Sequence, residues 1–232
     1  MTHPRSSVYL RLVAKDLYLQ RGLIVGATAV GAATLVLSSR TRDLSLGGLN
    51  LGFLLYLTAI ITFGILVPML AILKERQEGT QLFVLSLPIS PRRYRSAKVV
   101  AAAIAFLIPW TTLTLGVAIV AWWLPETRAG LPFFVALMGF LLGNFATLTA
   151  IVASTKSEIW AVVGILATNV SVTPFLVHLG RVTRLAESAA HAASAAPLWN
   201  PEVRTLLIVE SLWIAAAFAV AVGLPRTRGG RL

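Results

Sequence analysis

The 232-residue chain contains no cysteine, so disulfides, thiolate metal sites and cysteine nucleophiles are excluded. Charge is scarce too. Only 12% of residues are Asp, Glu, Lys or Arg, about half of what a soluble domain carries. Acids are the rarer sign, nine against twenty bases. The three histidines (His3, His178 and His191) are scattered, and no H-E-x-x-H occurs. No span carries a pair of carboxylates at helical spacing, and no G-x-S-x-G elbow is present. None of the four lysines follows a glycine, so there is no G-x-x-x-x-G-K-[ST] phosphate cradle and no P-loop of the chain's own. The chain does not read as an enzyme.

What it has instead is apolar sequence. Hydrophobic residues make up 57% of the chain, with a mean hydropathy of +0.81. They fall in blocks near the roughly 20 residues a helix needs to cross a hydrocarbon core. Segments of about ten alternating residues, the mark of a membrane barrel, are missing. The fold class is an all-α integral membrane protein with six spans, expected at residues 22–38, 49–73, 97–124, 131–153, 158–180 and 203–224. The first apolar run has no small-residue cleavage site after it, so it reads as a span rather than a signal peptide.

Three regions frame the spans. Residues 1–21 form an N-terminal segment in which Ser7, Arg11, Lys15 and Tyr18 make a narrow polar stripe, with leucines filling most of the rest. Such a helix is expected to lie in the membrane interface, in contact with lipid; the alternative is a longer first span. Asp16 falls on its apolar side and must pair with a base or face protein. Residues 22–224 are the transmembrane domain, and residues 225–232 a basic tail.

With six spans, both termini lie on one side. That side holds fourteen of the twenty bases, so it is expected to be the cytoplasm of a bacterial inner membrane. The net charge of +11 follows the loops and calls for no nucleic acid. The outer loop 181–202 is alanine-rich and expected to be partly helical. Gly139 with Gly143, and Gly22 with Gly26, have the small-xxx-small spacing of helix contact faces. Pro68, Pro109 and Pro174 should disturb spans two, three and five.

Two polar features lie inside spans. Asn169 and Thr173 share a face of span five, beside Pro174, and are candidates for a translocation pathway; hydrogen bonding between helices serves equally as their role. Glu210 lies about two turns into span six, a third candidate, unless it reaches the outer interface or pairs with Arg204 or Arg181.

The most charged segment is the inner loop 74–98. It reads as a helix end at Gly79, a short apolar helix capped by Thr80 and ended by Pro88, and a new start at Ser90-Pro91. Its apolar patch would be exposed unless a partner or the inner leaflet covers it.

Here the chain resembles the type-2 ABC transporter permeases, the integral membrane subunits of many bacterial exporters. The resemblance lies in Glu75, Glu78-Gly79-Thr80, a leucine-rich stretch, Leu87-Pro88-Ile89-Ser90, the arginines and Lys98. Gln81-Leu82-Phe83 stands where members often have leucine then glutamate. The resemblance implies a coupling helix docked on a separate P-loop ATPase subunit. Leu82, Phe83 and Leu85 would dock, with Gly79, Thr80 and Pro88 shaping the helix and Glu75, Glu78 and Arg92 making polar contacts. ATP and Mg would bind that partner, and this chain would carry no cofactor or metal. Two permease copies, alike or related, would form the pathway between them. ATP-driven closure of the ATPases would draw the coupling helices together. Haem-exporter B subunits share length and span count and are an alternative. So is a stand-alone transporter or channel using Glu210.

The orientation can be tested directly, because a chain without cysteine needs no background removed. In intact cells, Ser45→Cys is expected to react with a membrane-impermeant thiol reagent. Ser6→Cys and Thr227→Cys should react only after permeabilisation.

Overall fold

The computed structural model describes residues 4–40, 45–46, 49–74, 90–123, 128, 130–155, 157–183 and 199–223. Seven α-helices account for nearly all of them: α1 Pro4–Arg40, α2 Leu51–Pro68, α3 Pro91–Trp123, α4 Leu131–Ser154, α5 Glu158–Val170, α6 Val172–Val182 and α7 Pro201–Gly223. Six helical stretches are long and apolar enough to cross a membrane: Val8–Leu37, Gly52–Lys74, Pro91–Val120, Leu131–Ser154, Glu158–Val182 and Pro201–Gly223. The chain is a helical bundle with six candidate spans, matching the expected six within a few residues except at the N-terminal sides of the first and third.

The first span departs most. α1 runs through residues 21 and 22 without a break, so nothing in the helix marks off an interfacial segment from the span. At 1.5 Å per residue its 37 residues extend about 55 Å. Arg11, Lys15 and Tyr18 are exposed, as a polar stripe should be, but so are Leu10 and Leu19. The buried face is Val13, Asp16, Gln20, Gly31 and Thr34, recurring three or four residues apart at each end.

That face packs on α3. Asp16 meets Lys98, 82 residues later in the chain, and Gly31 meets Leu113 at the same separation. A constant offset over this length means the two helices run parallel and in step. A second parallel pair is α4 and α7: Gly139 faces Glu210, Gly143 faces Trp213, and Phe145 meets Phe218. Both members of the Gly139/Gly143 pair are therefore contact points, as the spacing predicts. Gly22 and Gly26 are not, since a Cβ at either would meet nothing within 4 Å. The same four-residue spacing marks a groove in one helix and an open surface in the other.

α4 is the central helix, with sixteen buried residues. Aromatic rings tie its neighbours to it. Phe106 of α3 stacks on Phe145 at 4.1 Å between centroids, and Phe140 stacks on Phe175 of α6 at 3.8 Å. Two aromatic polar ends also finish on Met138 of α4: Tyr56 Oη donates to its sulfur at 3.4 Å, and Trp110 Nε1 to its carbonyl at 3.0 Å. Buried Tyr and Trp need such partners, and these fix the depth of α2 and α3 against α4.

Proline acts differently at each site. After Pro68 the α-helix gives way to a π-helical turn, Met69–Lys74. Proline lacks the N–H that would continue the ladder, and the wider turn absorbs the mismatch. Pro174 follows a break at Ser171 and sits in the first turn of α6, where its missing N–H costs nothing. α3 passes through Pro109 without interruption.

Capping sets several helix ends. Ser90 accepts from the Arg93 amide at 3.4 Å, with Pro91 next, the start signal that the sequence carries. Asn200 opens α7 more firmly: its Oδ1 accepts from the Val203 amide at 2.8 Å, and its Nδ2 donates to the Val182 carbonyl at 2.9 Å. One side chain thus starts α7 and holds the end of α6. A two-residue antiparallel pairing, Ser45 with Asn50 and Leu46 with Leu49, precedes α2.

The α4–α7 seam predicts a stability effect. A Cβ on Gly143 would run into the Trp213 ring. Gly143→Ala is expected to lower stability by about 1–3 kcal/mol, read as thermal unfolding in detergent, whereas Gly26→Ala should leave it unchanged or raised.

Candidate functional site

The contacts at helix ends define one end of the bundle. Lys98 Nζ donates to Asp16 Oδ1 at 2.7 Å, and both side chains are buried. Three residues earlier on α3, Arg95 donates to the Val222 carbonyl of α7 at 3.0 Å. The start of α1, the start of α3 and the end of α7 therefore lie together. Ser90, the residue before α3, lies at this same end of the bundle. Arg95 also places positive charge at the C-terminal carbonyls of α7, where a helix dipole favours it.

Asp16 thus pairs with a base, as its position on an apolar face requires, and the base is Lys98. Around them lie Val13, Ala97 and Ala101, a small apolar cluster. The Lys98 ammonium also lies 5.7 Å from the Tyr94 ring centroid. Gln20, one turn along α1, is buried with its Oε1 unpartnered among the described residues.

Of the nine docking candidates, Arg92 alone falls within the described residues. It is exposed in the first turn of α3. Glu75, Glu78, Gly79, Thr80, Leu82, Phe83, Leu85 and Pro88 lie outside the described residues, as does 184–198 of the expected outer helix. What the structure does establish is the frame of the loop. Its entry is Lys74, at the end of the π-helical turn, and its exit is Ser90.

The span-five candidates sit on α5 and α6. Asn169 and Thr173 do share a face, but that face is exposed on the outside of the chain. Among the described residues, neither borders the small cavity beside α4. Asn169 donates to the Ile165 carbonyl at 2.8 Å, and Thr168 and Ser171 likewise bond backbone of their own helix. A longer contact, Asn144 Nδ2 to the Thr168 carbonyl at 3.4 Å, crosses from α4. It borders a small cavity of about 30 Å³ among Ile60, Gly64, Phe106, Leu148 and Thr168, room for about one water.

Glu210 occupies the most unusual position. It lies nine residues into α7, about 13 Å along a helix of about 34 Å. It is 3% exposed, and its carboxyl packs against Gly139, where any side chain on α4 would collide with it. Neither oxygen has a hydrogen-bond partner among the described residues. Neither of the expected partners, Arg204 or Arg181, reaches it, and it does not emerge at the outer interface. α4 supplies no titratable residue along its length. No group of three His, Asp or Glu residues that could hold a metal is found among the described residues.

Comparison of the chain with protein-family models, curated proteins and solved structures finds no match. A functional reading therefore rests on the residues themselves.

A buried carboxyl without partners detracts from stability unless something offsets it. Glu210→Met fills similar space without polar atoms and is expected to raise stability by about 1–3 kcal/mol, read as the thermal midpoint in detergent. A fall would instead mean that the carboxyl is held by a partner in the folded chain.

Proposed function

We propose that this chain is the membrane-spanning permease subunit of an ATP-driven exporter whose ATPase is a separate polypeptide. The observation that carries the reading is the segment from Glu75 to Ser90. It combines an acidic residue, Gly-Thr, a leucine-rich patch and Leu-Pro-Ile-Ser, and it joins the second and third of six candidate spans. The same chain lacks any P-loop. A docking patch for an ATPase on a chain unable to bind ATP by that motif is the combination such a subunit needs.

Two further features support the reading. The N-terminal half of α1, the start of α3 and the end of α7 lie together, and the sequence segments that adjoin them carry most of the bases, which favour the cytoplasmic side. Asn169 and Thr173 lie on a face that this chain leaves uncovered, in the middle of a span. Lipid is a poor neighbour for an amide, whereas a second copy or a pathway between two copies satisfies it. In this reading the pathway runs between two permeases. Leu82, Phe83 and Leu85 seat the loop on the ATPase, flanked by Glu75, Glu78 and Arg92, with Gly79, Thr80 and Pro88 shaping the helix. ATP and Mg bind the partner.

Glu210 favours one second reading, a stand-alone transporter in which the mid-span carboxyl binds the coupling ion. Transport driven by an ion gradient and abolished by Glu210→Gln would distinguish it.

The leading reading is tested by affinity purification of the chain in mild detergent. The wild type is expected to carry a P-loop ATPase with it, and Leu82→Asp/Phe83→Asp should release that subunit while the permease still folds. Retention of the ATPase by the doubly substituted chain would refute the docking assignment.

A further inference from the structure

The buried pair Asp16–Lys98 has no part in docking as described above, yet it stands close to the loop. Lys98 follows Ser90 by two helical turns, so only about 10 Å of α3 separates it from the loop's exit. On the other side of the contact, Asp16 belongs to the long N-terminal helix, which has no covalent connection to that loop except through α2.

The remaining contacts at this level are apolar: Ala97 and Ala101 of α3 meet Val13 of α1, with Tyr9, Leu12, Leu17, Val100 and Ile104 packed against them. Apolar contacts name no single partner and can re-form after a shift along the axis. An ion pair at 2.7 Å among such residues does not slide. A shift of one turn would leave an ammonium and a carboxylate buried apart, the arrangement that a protein interior tolerates least. The pair therefore locks α1 to α3 axially, while Gly31 against Leu113 keeps the same register farther along. Arg95, one turn before Lys98, ties α3 to the end of α7 as well. α7 in turn is seated in α4 through Glu210 and Trp213 on the two glycines.

We propose that Asp16 and Lys98 are a positioning pair, the strut through which displacement of the loop 75–89 reaches the N-terminal helix. The proposal rests on the reading of that loop as the ATPase-docking element. When the ATPases move the loop, α3 carries α1 with it because the charges hold the two in step. Apolar packing at the same place would keep the fold but let α1 lag.

The test uses the complex of the full chain with its co-purified ATPase in proteoliposomes. Spin labels are placed at Arg11→Cys on α1 or Arg93→Cys on α3, both exposed. Distances between the two copies are measured without nucleotide and after ATP–vanadate trapping. In the wild type both the 11–11 and the 93–93 distances should shift. In D16L/K98M, which removes the charges but keeps apolar bulk, the complex and the 93–93 shift should persist and the 11–11 shift should be lost. The exchanged pair D16K/K98D should restore it. An 11–11 shift in D16L/K98M equal to that of the wild type overturns the strut. If the variants do not fold, the wild type decides: movement at 93 without movement at 11 overturns it too. A wild-type chain that brings no ATPase overturns the docking reading beneath, a failure seen before any variant is made.

Discussion

One ion pair sets the arrangement of the bundle's loop-bearing end. Asp16 and Lys98 are buried on two helices that are far apart in sequence, and each meets the other's charge at 2.7 Å. Replacing both by apolar residues is often harmless in proteins, so the pair is not needed for stability as such. What charges add is specificity of register: they permit one axial alignment of α1 on α3. From that alignment follows the meeting of Gly31 with Leu113 farther along, and the placing of the N-terminal half of α1 beside the start of α3. Arg95 on the Val222 carbonyl then brings the end of α7 to the same place.

The opposite principle governs the α4–α7 seam. Here close approach comes from the absence of side chains, with Gly139 and Gly143 accepting Glu210 and Trp213. Between helices in a membrane there is little hydrophobic drive, and packing contacts carry the association. A tryptophan set into a glycine notch supplies such contacts in quantity. Glu210 fits the same notch sterically but not chemically, since its oxygens find no partner among the described residues. A site whose shape is satisfied and whose polarity is not is where function often departs from what folding alone would select.

How far this was legible in the sequence depends on what each signal encodes. Six apolar blocks give six spans because length and hydropathy are local properties. Asp16 announced a partner by breaking an apolar face, but its identity is a tertiary fact, decided 82 residues later in the chain. The glycine spacing was right at Gly139 and Gly143 and empty at Gly22 and Gly26. Spacing shows that a groove exists, and nothing about whether a helix of the same chain fills it. Ser90-Pro91 marked a helix start correctly, and Asn200-Pro201 carried the same signal without being singled out. The N-terminal segment shows the limit most plainly. Its polar stripe is real, with Arg11, Lys15 and Tyr18 all exposed, yet an unbroken helix follows. Periodicity describes a face and leaves the helix's angle to the membrane undetermined.

Span five makes the same point with a functional consequence. Periodicity placed Asn169 and Thr173 on one face, and the structure turns that face away from the other helices. In water this would be unremarkable. At mid-span it poses a question that the single chain does not answer, because an amide exposed there must meet lipid, water or another protein. Asn169 reduces the demand by donating to the Ile165 carbonyl on its own helix, and Thr168 and Ser171 do likewise. Each such bond consumes one donor and leaves the amide's carbonyl oxygen without that route. The face is thus made more tolerable to lipid by bonds within its own helix. α5 and α6 pack on α4 through Phe175 and Gly164, and that packing holds the Asn169/Thr173 face outward.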